Sequence, residues 1–570
     1  MTASAQREAP ASSPAPVPVS LRWFARAIDG WGLRQIGRAG LLGTVMIALG
    51  SFGAGALPAN DPTRLIPVLG LLRHGQPGLH AALALHYLGL VLVVIAWLLL
   101  GRLLLTGSTR GERASIAQLV PTSALRRMLV GWSVPLVCGM PLASSDLYSY
   151  AAQAQLARHG LDPYTTTPAD LPLVDLGKFL DNVAWKWVDT PSPYGPLWVA
   201  VSKWVAALTG DHAMISVLLL RLLPFAAIAL TAWLLPVLAG RYGKRADLAL
   251  WLAIGNPLIL VHAVGGGHND AVMVALIVAG LVLVTRPTAG LRDLVAGVAL
   301  MTLAAAVKSP GLVAVAFAVP IYLAGRAGAG ELGPGRSGLR RRDWVRHCAI
   351  AAAVALPVFA VVSLVAGVGL GWARQVSSGV PVINFMSIPT MLAVGYRAAI
   401  GAEHAGTLVD ATVRDFRNVG LIVSGVLLVV LWFRATRGSA LKLLALALAA
   451  VVVLGPAVQP WYFSWSLTIA AVFLLAPRQL GWIAAASIAL TLLTRPMGSS
   501  LEMAVYVPAV LVAVLATRAL LGPVAQRSPE PEIHDEVEIL DPATAGVARP
   551  NDPRSRSGVS QIRWVHRARR

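Results

Sequence analysis

Long apolar runs recur along this 570-residue chain and limit its fold more than any other feature. Residues 81–100 and 347–369 are two examples, and each has the length of a membrane-spanning helix, which takes about 20 residues. Hydrophobic residues make up 56% of the chain and charged residues 13%, whereas a soluble domain carries about 25% charged residues. The sequence therefore predicts an all-α polytopic membrane protein.

The apolar runs predict a bundle of about 14 transmembrane helices (about 13–15) between residues 39 and 522. The predicted spans lie near residues 40–57, 81–101, 127–142, 213–240, 247–264, 269–284, 293–307, 310–325, 346–369, 418–433, 440–456, 461–476, 479–494 and 503–520. Residues 1–20 are rich in Ala, Pro and Ser and lack an apolar core, and residues 21–38 add four arginines, so we predict a largely disordered basic N-terminus over residues 1–38. Residues 523–570 mix acids and arginines with few apolar residues, which predicts a disordered C-terminal tail.

The net charge of +20 raises the question of nucleic-acid binding. Arg and Lys cluster in short segments between apolar runs and in the tails, which is the pattern of cytoplasmic loops. The charge pattern therefore predicts a plasma-membrane protein with both termini in the cytoplasm and no nucleic-acid partner. The two cysteines, Cys138 and Cys348, are too far apart in sequence to indicate a disulfide framework or a zinc site.

A polar, acid-rich segment, residues 143–212, interrupts the apolar pattern. Alternation of the spans places it outside the membrane only if residues 196–208 do not cross the bilayer. We therefore predict that this stretch is a partial helix in the outer leaflet, anchored by Trp198 and Trp204. With this topology, the polar and aromatic clusters outside the basic loops all fall on the outer face, which predicts an extracytoplasmic active site.

Asp146 opens the polar segment, and a carboxylate beside the hydrocarbon core is costly, about 2.5–3.5 kcal/mol at the centre of a spanning helix. One interpretation is a general base that takes a proton from an attacking hydroxyl. The other is a capping residue for a helix that begins near Leu147, a role that its residue type favours. Position alone does not separate the two.

Residues 265–270, Gly-Gly-Gly-His-Asn-Asp, form the most specific of the other clusters. The glycines allow backbone N–H groups to approach a ligand, and His268 and Asp270 add a donor and a carboxylate. The alternative is a glycine-rich loop in which Asn269 caps the next helix. A metal held by His268, Asp270 and Asp146 lacks any metal-type spacing, so no cofactor is predicted.

Three cations lie at or near the predicted outer ends of spans: Lys308, Arg495 and, within a span, Arg221. Each either extends to the lipid phosphates or binds the phosphate of a substrate. Tyr164 follows Asp162-Pro163, a turn signal, and is therefore either part of a turn or a sugar contact.

Taken together, these motifs resemble the GT-C-type glycosyltransferases that use polyprenyl-phosphate sugars. They are most similar to the MptB-type branch of the actinobacterial α(1→6)-mannopyranosyltransferases. The resemblance rests on Asp146-Leu-Tyr-Ser-Tyr150 with Gln153, Gly160-Leu-Asp-Pro-Tyr164, Pro191-Ser-Pro-Tyr-Gly-Pro196, Gly265-Gly-Gly-His-Asn269, Val307-Lys308 and Pro460-Trp-Tyr462. Two positions depart from the family pattern: Ser145 stands where relatives carry Arg or Gln, and Asp270 where they carry Glu.

The resemblance implies a decaprenyl-type phosphate-mannose donor, a phosphatidylinositol mannoside or lipomannan acceptor, and an inverting reaction with Asp146 as the base. It implies that Lys308, Arg495, His268 and Arg221 hold the donor phosphate. The implied substrate contacts are Tyr148, Tyr150, Gln153, Tyr164, Tyr194, Asn269, Asp270, Trp461 and Tyr462. The alternatives are a GT-C transferase for another polyprenyl-phosphate sugar and, from a different class, a secondary transporter or lipid flippase.

Overall fold

The computed structural model describes residues 31–106, 120–326, 341–373, 383, 385–401, 409–435, 439–473, 476–498 and 505–521. Every regular element in these ranges is helical, which confirms the all-α class. The described residues all belong to one unit, Met1–Ser528. Residues 1–30 of the predicted N-terminal region and the predicted tail, residues 523–570, lie outside the described residues.

The α-helices are numbered in chain order. They are α1 (Leu33–Ala54), α2 (Pro67–Leu71), α3 (Gly75–Thr106), α4 (Thr122–Cys138), α5 (Asp146–Arg158), α6 (Gly177–Leu180), α7 (Trp185–Val188), α8 (Pro196–Thr209), α9 (Ala213–Arg241), α10 (Ala246–Ala253), α11 (Asp270–Val284), α12 (Leu291–Val307), α13 (Gly311–Arg326), α14 (Arg341–Ala366), α15 (Ile388–Ala399), α16 (Ala411–Phe433), α17 (Ala440–Leu454), α18 (Phe463–Ala470), α19 (Pro477–Leu492) and α20 (Tyr506–Leu520). Short 3₁₀ segments cover Pro62–Leu65, Pro168–Val174 and Pro460–Tyr462, and a π-helix covers Ile259–Gly265.

By length and composition, 5 of the described helices can cross a membrane, or up to 6 if a bent pair counts as one span. The five are α1, α3, α9, α14 and α16. This supports a multi-span membrane protein, while the predicted count of about 14 stays a prediction. Over the predicted span 461–476 the structure has the 3₁₀ segment Pro460–Tyr462 followed directly by α18, which has 8 residues and is about 12 Å long, so this span stays a prediction.

The predicted spans 247–264 and 269–284 form a broken path instead of two straight helices. The chain leaves α10 at Ala253, passes Asn256-Pro257 and forms the π-helix, which meets α11 at an angle of 105°. Proline has no N–H for a helical hydrogen bond, and the Asn256 carboxamide instead accepts from the Leu258 N–H at 3.0 Å. The turn places residues 268–270 inside the protein, where each is at most 1% exposed.

Backbone hydrogen bonds join the ends of distant helices at this turn. They run from Ala56 N to Pro141 O (2.8 Å), Leu142 N to Gly265 O (3.0 Å), Ala143 N to Pro496 O (2.7 Å) and Gly195 N to Val307 O (3.0 Å). The motifs that the sequence predicted on one face are therefore held at one end of the bundle.

Of the two tryptophans in α8 that were predicted to be lipid anchors, only Trp204 has the exposure of an anchor. Trp204 is 54% exposed, as an anchor requires, but Trp198 is 3% exposed and packs against Tyr150 with ring centroids 5.2 Å apart. Trp198 is thus a core residue that fixes α8 against α5. Helix α8 has 14 residues and also carries Lys203. It corresponds to the partial helix that the sequence predicted over residues 196–208.

Candidate active site

Asp146 is the first residue of α5, and its side chain faces the turn between the π-helix and α11. The N-cap position is Ser145, so Asp146 does not hold the capping position. Its backbone N–H donates to Ser144 Oγ at 3.1 Å, while its Oδ2 lies 3.4 Å from His268 Nδ1. The residue is 7% exposed, so it is buried but slightly more accessible than His268, which is 0% exposed.

His268 is fully buried and its ring is held in place by stacking. The Trp461 ring lies parallel to it, with centroids 3.7 Å apart and planes 15° apart. The preceding glycines make this placement possible: a Cβ on Gly266 would lie 2.9 Å from His268 Nε2, and Gly267 has φ +67 and touches Leu147. These two glycines therefore serve close packing, whereas the sequence had favoured a backbone approach to a ligand.

The electrostatic surroundings of Asp146 keep its carboxylate ionised. Burial by itself raises the pKa, but the hydrogen bond and charge of His268, the charge of Lys186 and a hydrogen bond with Ser144 together outweigh burial and lower the pKa to about 2. Lys186, on the four-residue helix α7, was missed as a site residue by sequence reasoning. Only its position in a charged loop could have suggested it.

A second carboxylate, Asp270, begins α11 and is fully paired. Lys308 Nζ lies 2.8 Å and 3.0 Å from its two oxygens, and Trp465 Nε1 donates to Oδ1 at 2.6 Å. The ammonium also lies 4.2 Å from the centre of the Tyr462 ring. Lys308 and Asp270, predicted to bind donor phosphate and substrate, therefore bind each other, so a ligand phosphate would have to share the ammonium.

The tyrosines predicted as substrate contacts form two groups: Tyr150 and Tyr194 pack their rings near the carboxylates, and Tyr148 and Tyr164 hydrogen-bond to the backbone. Tyr150 packs edge-on against Tyr194, with ring centroids 5.0 Å apart, and both are buried near the two carboxylates. In the second group, the Tyr148 hydroxyl donates to Ala56 O at 2.8 Å, and the Tyr164 hydroxyl donates to Tyr194 O at 3.0 Å. These hydroxyls hold the backbone around the site.

Asn269 and Gln153 are buried amides near Tyr150. In the described part of the chain no hydrogen-bond partner reaches Oδ1 or Nδ2 of Asn269, although the residue is 0% exposed. Gln153 lines a small cavity of about 10 Å³ with Tyr150, Trp198 and others. Since buried amides are nearly always paired, the open donors and acceptor of Asn269 are suited to ligand hydroxyls.

Arg221 is buried within α9 and all of its donors are used. A guanidinium carries five N–H groups, and here they face the carbonyls of Val137, Gly139, Met140, Val264 and Gly265. Arg221 therefore clamps the end of α4 to the π-helix. Its phosphate role stays a prediction, and these contacts offer no free donor for it.

Arg495 follows α19 and is exposed. Its neighbour Pro496 accepts from Ala143 N, and a Cβ on Gly498 would lie 2.9 Å from Ser144 Cα. The segment carrying Arg495 thus borders the segment that leads into Asp146. Its phosphate role stays a prediction.

An apolar pocket of about 240 Å³ lies beside the site. It is lined by Leu197, Trp198 and Val201 of α8, Leu223, Ala226, Ala227 and Leu230 of α9, Val272, Ala275 and Leu276 of α11, and Val307. Val307 directly precedes Lys308 in the chain, and Val272 lies two residues after Asp270, although neither charged residue lines the pocket. Among the described residues no group of three His, Cys, Asp or Glu side chains could hold a metal ion.

Comparisons with known proteins define the class. The chain matches the family model "Alpha-(1->6)-mannopyranosyltransferase, N-terminal domain" over residues 37–324 and the model "MptB C-terminal domain" over residues 389–522. Together with the membrane-spanning helices, these matches identify a membrane mannosyltransferase. The chain belongs to the α(1→6)-mannopyranosyltransferase family and is of the MptB type.

Curated relatives cover most of the chain. It is 35% identical to alpha-(1->6)-mannopyranosyltransferase A of Mycobacterium tuberculosis over 81% of this chain and 84% of that protein. It is 28% identical to alpha-(1->6)-mannopyranosyltransferase B of Corynebacterium glutamicum over 79% and 73%. Among solved structures, an archaeal oligosaccharyltransferase from Archaeoglobus fulgidus aligns at 14% identity and a TM-score of 0.35, covering 72% of this chain and 56% of that one.

Proposed function

We propose that this protein moves mannose from a polyprenyl-phosphate-mannose donor, of the decaprenyl type, to the 6-hydroxyl of a growing α-mannan or lipomannan acceptor. The observation that carries the proposal is Asp146, a buried carboxylate whose Oδ2 lies 3.4 Å from His268 Nδ1, close to the packed rings of Tyr150 and Tyr194. Family membership supports mannose as the sugar. Asn269, with open donors and an open acceptor, adds a site for sugar hydroxyls.

In the proposed reaction Asp146 accepts the proton of the acceptor hydroxyl as its oxygen attacks the anomeric carbon. The new C–O bond forms while the bond from that carbon to the phosphate oxygen breaks, and the bonding electron pair stays on the phosphate. Attack from the opposite side inverts a β-linked donor to an α product. Asp146 then releases the proton to water. A base held ionised by its surroundings suits this step.

The leaving polyprenyl phosphate needs positive charge near the reacting carbon. Lys186 is within electrostatic range of Asp146, and Arg495 lies on the neighbouring segment. Both are better placed to meet a phosphate than Arg221, whose donors are occupied. Lys308 could contribute while it remains paired with Asp270.

The apolar pocket supports a lipid-linked donor. Its volume of about 240 Å³ is below the about 300–1,000 Å³ of a site that encloses a small molecule, which suits one stretch of a prenyl chain. Its wall ends at Val307, next to Lys308, so a chain lying in it would bring its phosphate towards the charged groups. The excess of basic residues in the opposite loops supports an extracytoplasmic active site.

The test is a transfer assay with purified protein in lipid nanodiscs and a synthetic α(1→6)-dimannoside acceptor. Donors are polyprenyl-phosphate-mannose, polyprenyl-phosphate-glucose, polyprenyl-phosphate-arabinose and a mannose nucleotide. We expect mannose transfer from the first donor alone, with an α(1→6) product by NMR and no loss of rate in EDTA. Transfer from the nucleotide, or from another prenyl sugar in preference, would overturn the donor assignment, and loss of activity in EDTA would overturn the metal-free mechanism.

A further inference from the structure

We propose that His268 is a positioning residue that acts on the reaction through Asp146 and does not bind the donor phosphate. The geometry points to this assignment because His268 Nδ1 faces Asp146 Oδ2 at 3.4 Å. The imidazole is 0% exposed, while Asp146 is 7% exposed, so the carboxylate is the more accessible of the two groups. The inference rests on the proposed function and deepens it.

The ring of His268 has little freedom to turn towards another partner. Trp461 covers one face at 3.7 Å, and the Gly266 backbone lies so close that a Cβ there would approach Nε2 to 2.9 Å. In the described part of the chain neither ring nitrogen of His268 makes a hydrogen bond of full geometry, and the contact of Nδ1 is the 3.4 Å approach to Asp146 Oδ2. A fixed imidazole with one nitrogen beside a carboxylate is an arrangement that orients a catalytic group.

An N–H on Nδ1 stabilises the charged form of Asp146 and fixes one of its oxygens, which leaves the other for the acceptor hydroxyl. The other charged and titratable groups around Asp146 are Lys186 and Lys308, and the hydroxyls of Tyr150, Tyr194 and Tyr462. None of them changes when His268 alone is replaced. A shift in the acidic limb of activity therefore measures the His268 contact itself.

The decisive variants are His268→Leu, His268→Asn and His268→Gln. An Asn amide nitrogen occupies about the place of Nδ1, whereas a Gln amide nitrogen occupies about that of Nε2. We expect His268→Leu to move the acidic limb of kcat/KM up by about one pH unit or more, so that activity on the limb falls about tenfold. His268→Asn restores the wild-type limb, and His268→Gln does not.

His262→Asn is the matched control. His262 is also buried and also lies beside Trp461, with centroids 5.6 Å apart, but its Nε2 is 3.4 Å from Thr494 Oγ1 instead of a carboxylate. We expect its pH profile to match the wild type. A shift of the same size in His262→Asn would show that the profile reports general loosening, and it would overturn the proposal.

Three further outcomes of these experiments bear on the positioning role of His268. A raised donor KM with an unmoved acidic limb, or rescue by Gln and not by Asn, assigns His268 to the phosphate and overturns the inference. A His268→Asn variant that fails to fold counts against it too, since the positioning role requires Asn to replace the contact. If the wild type transfers no sugar, the proposed function fails separately. Titration of the Asp146 carboxyl by difference infrared spectroscopy, in wild type and His268→Leu, then still tests the pairing.

Discussion

Two of the described helices begin with an aspartate, and the two carboxylates have different surroundings. Asp270 opens α11 and receives three hydrogen bonds, two from Lys308 and one from Trp465, with 1% of its surface exposed. Asp146 opens α5, lies 3.4 Å from His268 Nδ1, has Ser144 as its other hydrogen-bonding neighbour and is 7% exposed. Residue type and helical position are the same, so only the partners that packing brings to each carboxylate distinguish the saturated Asp270 from Asp146, the proposed proton acceptor.

The largest expected effect is on the open carboxylate. Asp146→Asn removes the proton acceptor but keeps the size of the side chain, so we expect kcat to fall by about 10²–10⁴-fold, while donor binding and the melting temperature stay near the wild type. Single-turnover mannose transfer and donor binding in nanodiscs measure this. Asp181→Asn, an exposed acid in the same loop, should retain activity. Wild-type turnover in Asp146→Asn would remove the contrast between the two aspartates.

The second prediction concerns the paired carboxylate, Asp270, whose replacement should lower the stability of the protein. Asp270→Asn leaves the Lys308 ammonium buried without its counter-charge, so we expect the free energy of unfolding to drop by about 3–5 kcal/mol. Denaturant titration in detergent micelles measures the change. Adding Lys308→Met to Asp270→Asn removes the uncompensated charge and should recover part of the loss. Lost transfer with intact stability in Asp270→Asn would place Asp270 in the chemistry.

The same contrast extends to the cations with a smaller expected effect. Arg221→Lys cannot reach the five carbonyls around it, and unpaired buried carbonyls cost about 1–3 kcal/mol of unfolding free energy. We expect a lower melting temperature and an unchanged donor KM. Arg158→Lys, at a half-exposed pair with Asp211, is the control and should change stability by less than about 1 kcal/mol. A raised donor KM in a stable Arg221→Lys would restore its predicted phosphate role.

The sequence predicted the residues of the site better than their partners. Asp146, His268, Lys308 and Trp461 were identified from motifs, and the structure gathers them at one end of the bundle. The sequence did not predict that Lys308 would pair with Asp270, because the two residues are 38 positions apart in the chain. Trp465, which completes that pair, lies 195 residues from Asp270 and belongs to no motif.

Local signals explain what the sequence settled alone. Apolar runs and basic loops determine an all-α membrane protein, since hydrophobicity and charge act on each segment separately. The polar motifs determine the family, because a motif is recognised from the identity and order of its residues along the chain. Neither signal depends on how distant segments pack.

Only the tertiary structure decided how each charged group is used. The 105° break between the π-helix and α11 turns His268 towards Asp146 and Asp270 towards Lys308, although the two residues are neighbours. Hydrogen-bond saturation depends on the three-dimensional arrangement of distant chain segments. A carboxylate therefore has the same sequence signal whether its acceptor sites are filled or open, and only packing decides which of the two it is.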